Sequence, residues 1–427
     1  MEERFLLKTD GAVALYEEFA RNKPIIDFHN HLSVQDMARD RRYENITELW
    51  LSADPYKHRL MRICGVEERF ITGAATPKEK FAKFCEVFPL LAGNPVYDWS
   101  RMELSQVFGI HDLPTKETAD CLYDQIGEQL SSPEFTTGGI LKKFSIEYQS
   151  PVASLLDDLS DFGPGVAPSL RGDNLLAPTE ELKEKLQKAT NIPVTDEKSY
   201  LSAVCVRLDQ FHAAGCRFAD HSLDCDFFDK DTDGRQTALL VKLGAEYAKR
   251  GWTLLLHMGA KRQTSLRLAR VAGPAGGYAA AGSNFPVAKV CDLLGQMEEA
   301  GGLPDTVLFP LNMSDQAPFA IMQGSFSQDG VCSKVQLGPA WWWCDHTLGI
   351  RNTLQCIASF GAVSQFIGMT TDSRSILSMV RHDYFRRLLC SWVDEQNTAG
   401  AWSLPFKMQG RIVEKIAYEN AKTKIYK

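Results

Sequence analysis

The sequence predicts an α/β fold, a distorted (β/α)8 TIM barrel with a large helical insertion after its first strand. Short runs rich in strand-forming residues recur along the 427 residues, and a helix-like stretch follows most of them, which is the alternation typical of a parallel sheet. Eight such runs occur, and eight is the number of strands that closes this kind of barrel. The runs span residues 24–31, 144–150, 166–171, 216–222, 253–259, 305–312, 334–342 and 365–372.

A long segment, residues 33–143, separates the first two runs. It is too long for a loop, and amphipathic stretches within it such as KEKFAKFCEVFPLLAG indicate helices. We expect this insertion to cap the mouth of the barrel. The barrel itself is then expected to comprise residues 24–32 and 144–427, after a helical N-terminal segment, residues 1–23.

Composition disfavours several classes of protein. No apolar run approaches the roughly 20 residues that span a bilayer, and the start MEERFLLKTD does not resemble a signal peptide, so we expect a cytoplasmic protein with no membrane partner. Eleven cysteines without a CxxC pair favour reduced thiols over disulfides. A net charge of −7 disfavours binding to nucleic acid, so an anionic ligand would need local positive charge.

The first run ends in two histidines that suit a metal. In PIIDFHNHL (24–32), His29 and His31 lie two residues apart, so in a strand both side chains point to the same face. Asp372 ends the eighth run, which neighbours the first in a closed barrel, and these three residues can therefore share one divalent cation such as zinc. The alternatives are ordinary hydrogen-bonded histidines and, for Asp372, the N-cap of a following helix.

Other polar residues also stand at the ends of the runs, where barrels of this type carry their reactive groups. His257 ends the fifth run, and it could bind the metal or the substrate. Further strand ends carry Arg171, Asp220, His221, Asn312, Trp341 and Trp342. This concentration indicates an enzyme.

Longer stretches carry a resemblance to a known family. The HxH motif, the histidine of the fifth run and the aspartate of the eighth resemble the amidohydrolase superfamily. The stretches ITELWLSADPYKHRLMRICGVEERFITG, GCRFADHSLD, QLGPAWWWCD and GMTTDSRSILSMVRHDYFRRLLC are similar to the uronate isomerase (glucuronate isomerase) family, from about residue 24 to the end. The resemblance implies conversion of D-glucuronate to D-fructuronate and of D-galacturonate to D-tagaturonate through an enediol. The expected partner is a small sugar acid, and we also expect a homo-oligomer.

The resemblance assigns roles to particular residues. Tyr56 matches the family tyrosine thought to take part in proton transfer, although packing within the insertion is an alternative. A uronate carboxylate needs a positive partner, and Arg171 and Arg374 are expected to bind it, with solvation at the surface as the alternative. Catalytic residues are expected to be Asp372, Tyr56 and Arg374. Further substrate contacts are expected from His257, Trp341 and Trp342.

The sequence also departs from the family pattern. Pro55 stands where the family commonly has a histidine before the tyrosine, and His58 could substitute only if it turned inward. The stretch YQSPVASLLDDL lacks the paired aspartates that usually follow the second strand, and RGDN replaces RPDK after the third.

The superfamily contains hydrolases, many of which use a lysine of strand four to bridge two metals. Strand four here ends FADHS without lysine and strand six ends PLNM without histidine, which predicts a single metal. Two alternatives stay open: a metal-dependent hydrolase with Asp372 as general base, and a uronate-binding homologue with altered catalysis.

Overall fold

The computed structural model describes residues 3–426 and shows a parallel sheet that curls into most of a barrel. The strands are β1 Ile25–Asn30, β2 Ile146–Ser154, β3 Ser169–Arg171, β4 Phe218–Leu223, β5 Thr253–Met258, β6 Ala260–Lys261, β7 Ala280–Ala281, β8 Asp305–Pro310 and β9 Val335–Leu337. Seven of them form the sheet, in the order β1-β2-β3-β4-β5-β8-β9, while β6 and β7 form a small antiparallel pair. The fold is a distorted (β/α)8 barrel, as the sequence predicts.

The middle of the sheet is its most regular part. Every residue of β5 is buried, and β5 pairs in parallel along its whole length with β4 and β8. Such nearly continuous apolar strands are expected where helices cover the outer face of the sheet. This regular centre of the sheet positions the residues at the strand ends.

The eighth expected strand, residues 365–372, is not a regular strand, and that part of the prediction is wrong. Gly368 has a φ of 88°, and a Cβ there would lie 2.2 Å from the carbonyl oxygen of Ile416. Asp372 also has a positive φ, 48°. These two left-handed residues interrupt the extended backbone that a strand requires.

Side chains replace much of the missing ladder on both sides of this segment. Gln336 Oε1 of β9 accepts a hydrogen bond from the backbone N of Ile367 at 2.9 Å. On the β1 side, the backbone N of His29 donates to Thr370 Oγ1 at 2.8 Å, and the backbone N of Asp372 donates to His29 O at 3.1 Å. The segment thus closes the barrel between β9 and β1.

Two other strands are shorter than expected, for a local reason. The run 166–171 is a strand only from Ser169, just after Pro168, and the run 334–342 ends at Leu337, just before Gly338 and Pro339. Proline cannot donate to a strand ladder, so it belongs at strand ends.

The residues between β1 and β2 are mainly helical. They form α2 Val34–Ala38, α3 Ile46–Trp50, α4 Pro55–Ile63, α5 Pro77–Val87, α6 Pro95–Phe108, α7 Ala119–Leu130 and α8 Thr137–Lys142, with 3-10 turns at Glu68–Phe70, Phe88–Leu91 and Pro133–Phe135. The division of the chain at residues 33–143 stays a prediction.

The remaining helices surround the sheet. The N-terminal α1 Asp10–Leu15 continues as a π-helical turn, Tyr16–Ala20. Later helices are α9 Glu180–Thr190, α10 Glu197–Ala213, α11 Phe227–Lys230, α12 Arg235–Lys249, α13 Leu266–Ala272, α14 Val287–Glu299, α15 Gln316–Ile321, α16 Thr347–Phe360, α17 Val380–Thr398, α18 Phe406–Glu414 and α19 Asn420–Ile425. Shorter turns lie at Asp173–Leu175, Met313–Asp315, Met322–Gly324, Trp342–Cys344, Val363–Gln365, Ile376–Met379 and Lys415–Glu419. Within residues 3–426, no helix combines the length and apolar character needed to cross a membrane. All eleven cysteines are free.

Candidate active site

The C-terminal ends of the strands surround a cavity of about 380 Å³. Its size suits a small molecule. All nine residues that the sequence singles out for the site line this cavity: His29, His31, Tyr56, Arg171, His257, Trp341, Trp342, Asp372 and Arg374. The fold therefore brings together residues that lie up to 345 positions apart in the chain.

A histidine–carboxylate group forms at the end of β1. Asp372 Oδ1 lies 3.3 Å from His29 Nε2 and 3.1 Å from His31 Nε2. Asp372 does not cap the next helix, because Ser375 caps the turn Ile376–Met379 instead. The left-handed backbone at Asp372 directs its carboxylate to the two histidines rather than to a helix end.

A second group shares His29. The ligand atoms of His29, Asp220 and His257 lie within 4.8 Å of one another, and the His29 and His257 ring centroids are 4.8 Å apart. His29 Nδ1, His257 Nε2 and Asp220 Oδ1 are buried and have no hydrogen-bond partner among the described residues. Buried polar atoms normally have a partner. The orphaned atoms and the nitrogen–oxygen donor set fit a divalent cation.

The pKa values of His31, His257 and Asp372 favour ligand forms. Burial alone would lower the pKa of His29, but the charge of Asp220 and the hydrogen bond to Asp372 outweigh it and raise that pKa. Burial lowers the pKa of His31 to about 4 and that of His257 well below its usual range, so both imidazoles are neutral near pH 7. Burial alone would raise the pKa of Asp372, but hydrogen bonds from His29 and His31 outweigh it and hold that pKa well below its usual range. Neutral imidazole and ionised carboxylate are the forms that bind metal.

Asp220 is a residue to which sequence reasoning gave no role, although it was noted at a strand end. It is 4% exposed, and its Oδ2 lies 3.9 Å from His257 Nδ1. Burial, with the charge of Asp173 added, raises the pKa of Asp220 to about 6. Its place in the polar part of the predicted run 216–222 was the available signal, and in the structure it lies in the middle of β4.

Three arginines form the positive side of the cavity, namely Arg171, Arg262 and Arg374. Desolvation lowers the pKa of Arg374. The charge of Asp372 opposes this shift, whereas the charges of Arg171 and Arg262 add to it, so Arg374 lies close enough to both arginines to be repelled by them. Arg262 was missed, because nothing in AKRQT distinguishes it from a surface arginine. This cluster supplies the local positive charge that an acidic protein needs for an anionic ligand.

Arg171 is held by the loop that departs from the family pattern. Asp173 Oδ2 lies 3.1 Å from Arg171 Nε, and Asp173 Oδ1 accepts a hydrogen bond from the backbone N of Ser222 at 2.7 Å. Gly172 leaves room for a neighbour, since a Cβ there would lie 2.2 Å from the ring of His221. The RGDN sequence thus fixes the arginine between β3 and β4.

Tyr56 enters the cavity from the first turn of α4. Asp54 caps this helix by accepting from the backbone N of Tyr56 at 2.9 Å, and Pro55 occupies the first helical position, which proline favours. The Tyr56 hydroxyl lies 2.8 Å from Asp345 Oδ2 and 2.9 Å from the carbonyl oxygen of Trp342. Pro55 therefore helps to start the helix that presents Tyr56.

Two histidines and one asparagine behave differently from these. His58 is buried, and it does not line the cavity. His221 Nε2 lies 2.9 Å from the hydroxyl of Tyr247, outside the cavity, and Asn312 caps the turn Met313–Asp315. The contacts of these three residues indicate structural roles rather than roles in the cavity.

Comparison with known proteins agrees with the sequence resemblance. The sequence model of the glucuronate isomerase family matches residues 1–236 and 228–425. Uronate isomerases of Caldanaerobacter subterraneus subsp. tengcongensis and Oceanobacillus iheyensis are 37% and 35% identical to this chain, each over 99% of it, and over 98% and 97% of their own lengths.

Solved structures give the same result. The uronate isomerase of Thermotoga maritima superposes with a TM-score of 0.90 and 26% identity, over 100% of this chain and 99% of its own. Glucuronate isomerase from Caulobacter crescentus shares the fold, with a TM-score of 0.89 at 20% identity over 100% of this chain and 97% of its own. The family model and the full-length relatives together show that the chain is an aldose–ketose isomerase and belongs to the glucuronate isomerase family.

Proposed function

We propose that this isomerase acts on hexuronates, converting D-glucuronate to D-fructuronate and D-galacturonate to D-tagaturonate through an enediol. The observation that carries the proposal is the composition of the cavity, in which a metal-binding group faces the same space as three arginines. A hexuronate offers its carbonyl and hydroxyl oxygens to the metal-binding group and its carboxylate to the arginines. Charge-assisted contacts with guanidinium groups would fix the acidic end.

We further propose one divalent cation, zinc, held by His29, His31 and Asp372. Two imidazoles and one carboxylate suit zinc, and three protein ligands leave a position open. When bound, the ion would act as a Lewis acid that polarises oxygen atoms of the sugar. His257 and Asp220, beside His29, lie where they can bind the metal or a sugar hydroxyl.

Proton transfer is assigned to Tyr56, whose side chain lines the cavity. Aldose–ketose isomerisation moves a proton from C2 to C1, so a group that takes and returns a proton is required. Trp341, Trp342 and Arg374 are proposed to hold the sugar, and Asp372 to act both as ligand and in catalysis. A homo-oligomer and a sugar acid as the small-molecule partner stay predictions.

A panel of hexuronates and related sugar acids tests the proposal. Each is incubated with the zinc-loaded protein, and NMR follows conversion of the aldose to the ketose. We expect conversion of D-glucuronate and D-galacturonate into products of unchanged mass. Cleaved products would instead identify the hydrolase alternative, and binding without conversion would identify a uronate-binding homologue.

A further inference from the structure

A buried pair of opposite charges lies behind Tyr56. Asp345 is 3% exposed and Arg381 is 2% exposed, and Arg381 Nη1 lies 3.3 Å from Asp345 Oδ2. The same carboxylate oxygen accepts the hydrogen bond from Tyr56. Neither Asp345 nor Arg381 lines the cavity, but Tyr56 does, and it contacts both residues.

Aromatic rings hold Arg381 in place. Its guanidinium carbon lies 4.8 Å from the centroid of the Tyr56 ring and 3.9 Å from that of Trp99, both distances suited to cation–π contacts. Trp99 also contacts the ring of Tyr56 edge-on, at 5.5 Å. The tyrosine is therefore fixed by its ring and by its hydroxyl. The burial of Asp345 and Arg381 is weak evidence that the pair stabilises the fold, because the cost of removing both charges from water opposes their attraction.

The phenol has one hydrogen and two acceptors. A bond to an ionised carboxylate is roughly twice as strong as one to a neutral carbonyl, so a charged Asp345 takes the hydrogen and Trp342 O does not. A protonated Asp345 loses this advantage. The charge of Asp345 thus decides where the hydrogen of Tyr56 points.

We propose that Asp345 is the positioning residue of Tyr56: it holds the phenolic hydrogen and takes it when the phenolic oxygen receives a proton from the sugar. Arg381 favours the charged form of Asp345. This inference rests on the proposed role of Tyr56. It adds a proton acceptor outside the cavity to the group inside it.

The transfer balances as follows. The C2–H bond breaks, and its proton bonds to the Tyr56 oxygen while the phenolic hydrogen moves to Asp345 Oδ2. The electron pair of the C–H bond forms the C1=C2 bond, and the former carbonyl oxygen takes the negative charge. In the second half of the reaction Asp345 returns its proton to Tyr56, and Tyr56 protonates C1. The hydrogen of O2 passes to O1 at the same time, which leaves the ketone at C2.

The pKa of Asp345 agrees with this role. Burial raises it to about 7, Arg381 and the bond from Tyr56 lower it, and Asp372 raises it. Burial and the charge of Asp345 hold the pKa of Tyr56 well above its usual range, so the phenol is neutral at rest. The other charged or titratable groups that act on this network are Cys344, Tyr384, Asp54, Glu103 and, paired with the last two, Lys57. Asp345 is charged above about pH 7 and neutral below it.

The test measures kcat and KM of the metal-loaded enzyme on D-glucuronate between about pH 5 and 9. We expect kcat of the unaltered enzyme to fall as the pH drops through about 7. Asp345→Asn should lower kcat about 10²-fold and leave KM little changed. It should also remove the fall in kcat at acidic pH, the acidic limb of the profile. The matched control is Asp315→Asn, because Asp315 is equally buried, accepts a bond from the backbone N of Phe285, and lies outside the cavity. It should keep both kcat and the limb.

A second measurement does not depend on activity. With 3-fluorotyrosine incorporated at position 56, the 19F resonance of the unaltered sequence should shift with a midpoint near pH 7, and Asp345→Asn should abolish the shift. Absence of a midpoint in the unaltered sequence would overturn the proposal even if Asp345→Asn failed to fold. The proposal would also be overturned if Asp345→Asn kept the wild-type kcat and the acidic limb of its pH profile. A fully active Tyr56→Phe would instead overturn the role of Tyr56 in the proposed function, and it would remove the premise of this inference.

Discussion

The indole Nε1 of Trp341 donates a hydrogen bond of 2.6 Å to Oδ2 of Asp372. The other oxygen of this carboxylate, Oδ1, faces His29 and His31. The indole therefore fixes the plane of the carboxylate and leaves Oδ1 for the ligand position. Partners that orient a metal ligand in this way commonly affect metal affinity and activity.

Trp341→Phe should weaken metal binding or activity about 10- to 100-fold, because it keeps an aromatic ring but removes the N–H donor. Titration with a competing chelator and turnover on D-glucuronate measure the two effects. Trp402→Phe is the control, since Trp402 packs against Trp392 and does not line the cavity. Equal values for both variants would show that the bond from Trp341 has no role in orienting Asp372.

Replacing both histidines of the HxH motif should abolish metal binding. His29→Ala combined with His31→Ala removes two of the three proposed ligands and also disrupts the second group, which shares His29, so the remaining residues should not hold zinc tightly. Elemental analysis of the purified variant measures the metal, and circular dichroism checks the fold. His212→Ala is the control, because His212 bonds to Trp252 outside the cavity. Stoichiometric metal in the double variant would place the site elsewhere.

The arginine cluster should determine affinity for the carboxylate. Arg171→Met and Arg374→Met should each cost about 2–5 kcal/mol of transition-state stabilisation, because each removes a charged partner from a partly desolvated site. The change is read as kcat/KM on a uronate, with the melting temperature little altered. Arg351→Met, which breaks an ion pair with Glu395 outside the cavity, is the control. If both cavity variants keep wild-type kcat/KM, the carboxylate is bound by other residues.

Tyr56 and His58 can be separated by their surroundings. Tyr56→Phe should lose about 10²-fold or more in turnover, whereas His58→Ala should retain most of it, because His58 does not line the cavity. Reaction in deuterated solvent, scored for turnover and for label in the product, makes the comparison. An inactive but folded His58→Ala would move proton transfer from Tyr56 to His58, two residues further along α4.

Sequence reasoning located the cavity residues because the barrel imposes a simple rule. Parallel strands end at the same rim, so a polar residue at the end of a run is placed without any knowledge of packing. His29 and Arg171 come together for that reason. Asp372 joins them because its irregular segment still lies between β9 and β1. The rule also applies to Asp220. It received no predicted role because nothing else in its sequence context distinguishes it.

The rest depends on tertiary packing that carries no local signal. Arg262 reaches the cavity because the small β6–β7 pair turns the chain after β5. Asp345 and Arg381 meet only when α17 packs behind Tyr56. The irregular eighth segment was also hidden, because QFIGMTTD has the composition of a strand, and its interruption depends on the contact between Gly368 and Ile416.

Asp27 holds this irregular segment against β1. Its carboxylate is fully buried and accepts hydrogen bonds from Thr370 Oγ1 at 2.9 Å, from Thr371 N at 2.7 Å and from Thr371 Oγ1 at 2.8 Å. Asn30 Nδ2 donates another at 2.8 Å. These bonds substitute for strand pairing just before Asp372, so Asp27 links the stability of the barrel to the position of the metal ligand.

Asp27→Asn should therefore destabilise the protein by about 3 kcal/mol, because an amide NH2 would face donors that now meet a carboxylate oxygen. Burial alone would raise the pKa of Asp27, but His382, Thr371 and Asn30 outweigh it and lower the pKa below 3.8. A carboxyl whose pKa is lower in the folded state stabilises the fold above pH 3.8 and loses this contribution as the pH falls through the folded value.

The difference in unfolding free energy between the wild type and Asp27→Asn, measured by denaturant titration, should be constant near neutral pH and shrink below about pH 4. Asp36→Asn, which alters a surface pair with Arg41, should change stability by less than about 1 kcal/mol at every pH. If Asp27→Asn is as stable as Asp36→Asn, the eighth segment is held by its other contacts, and the carboxylate of Asp27 does not position Asp372.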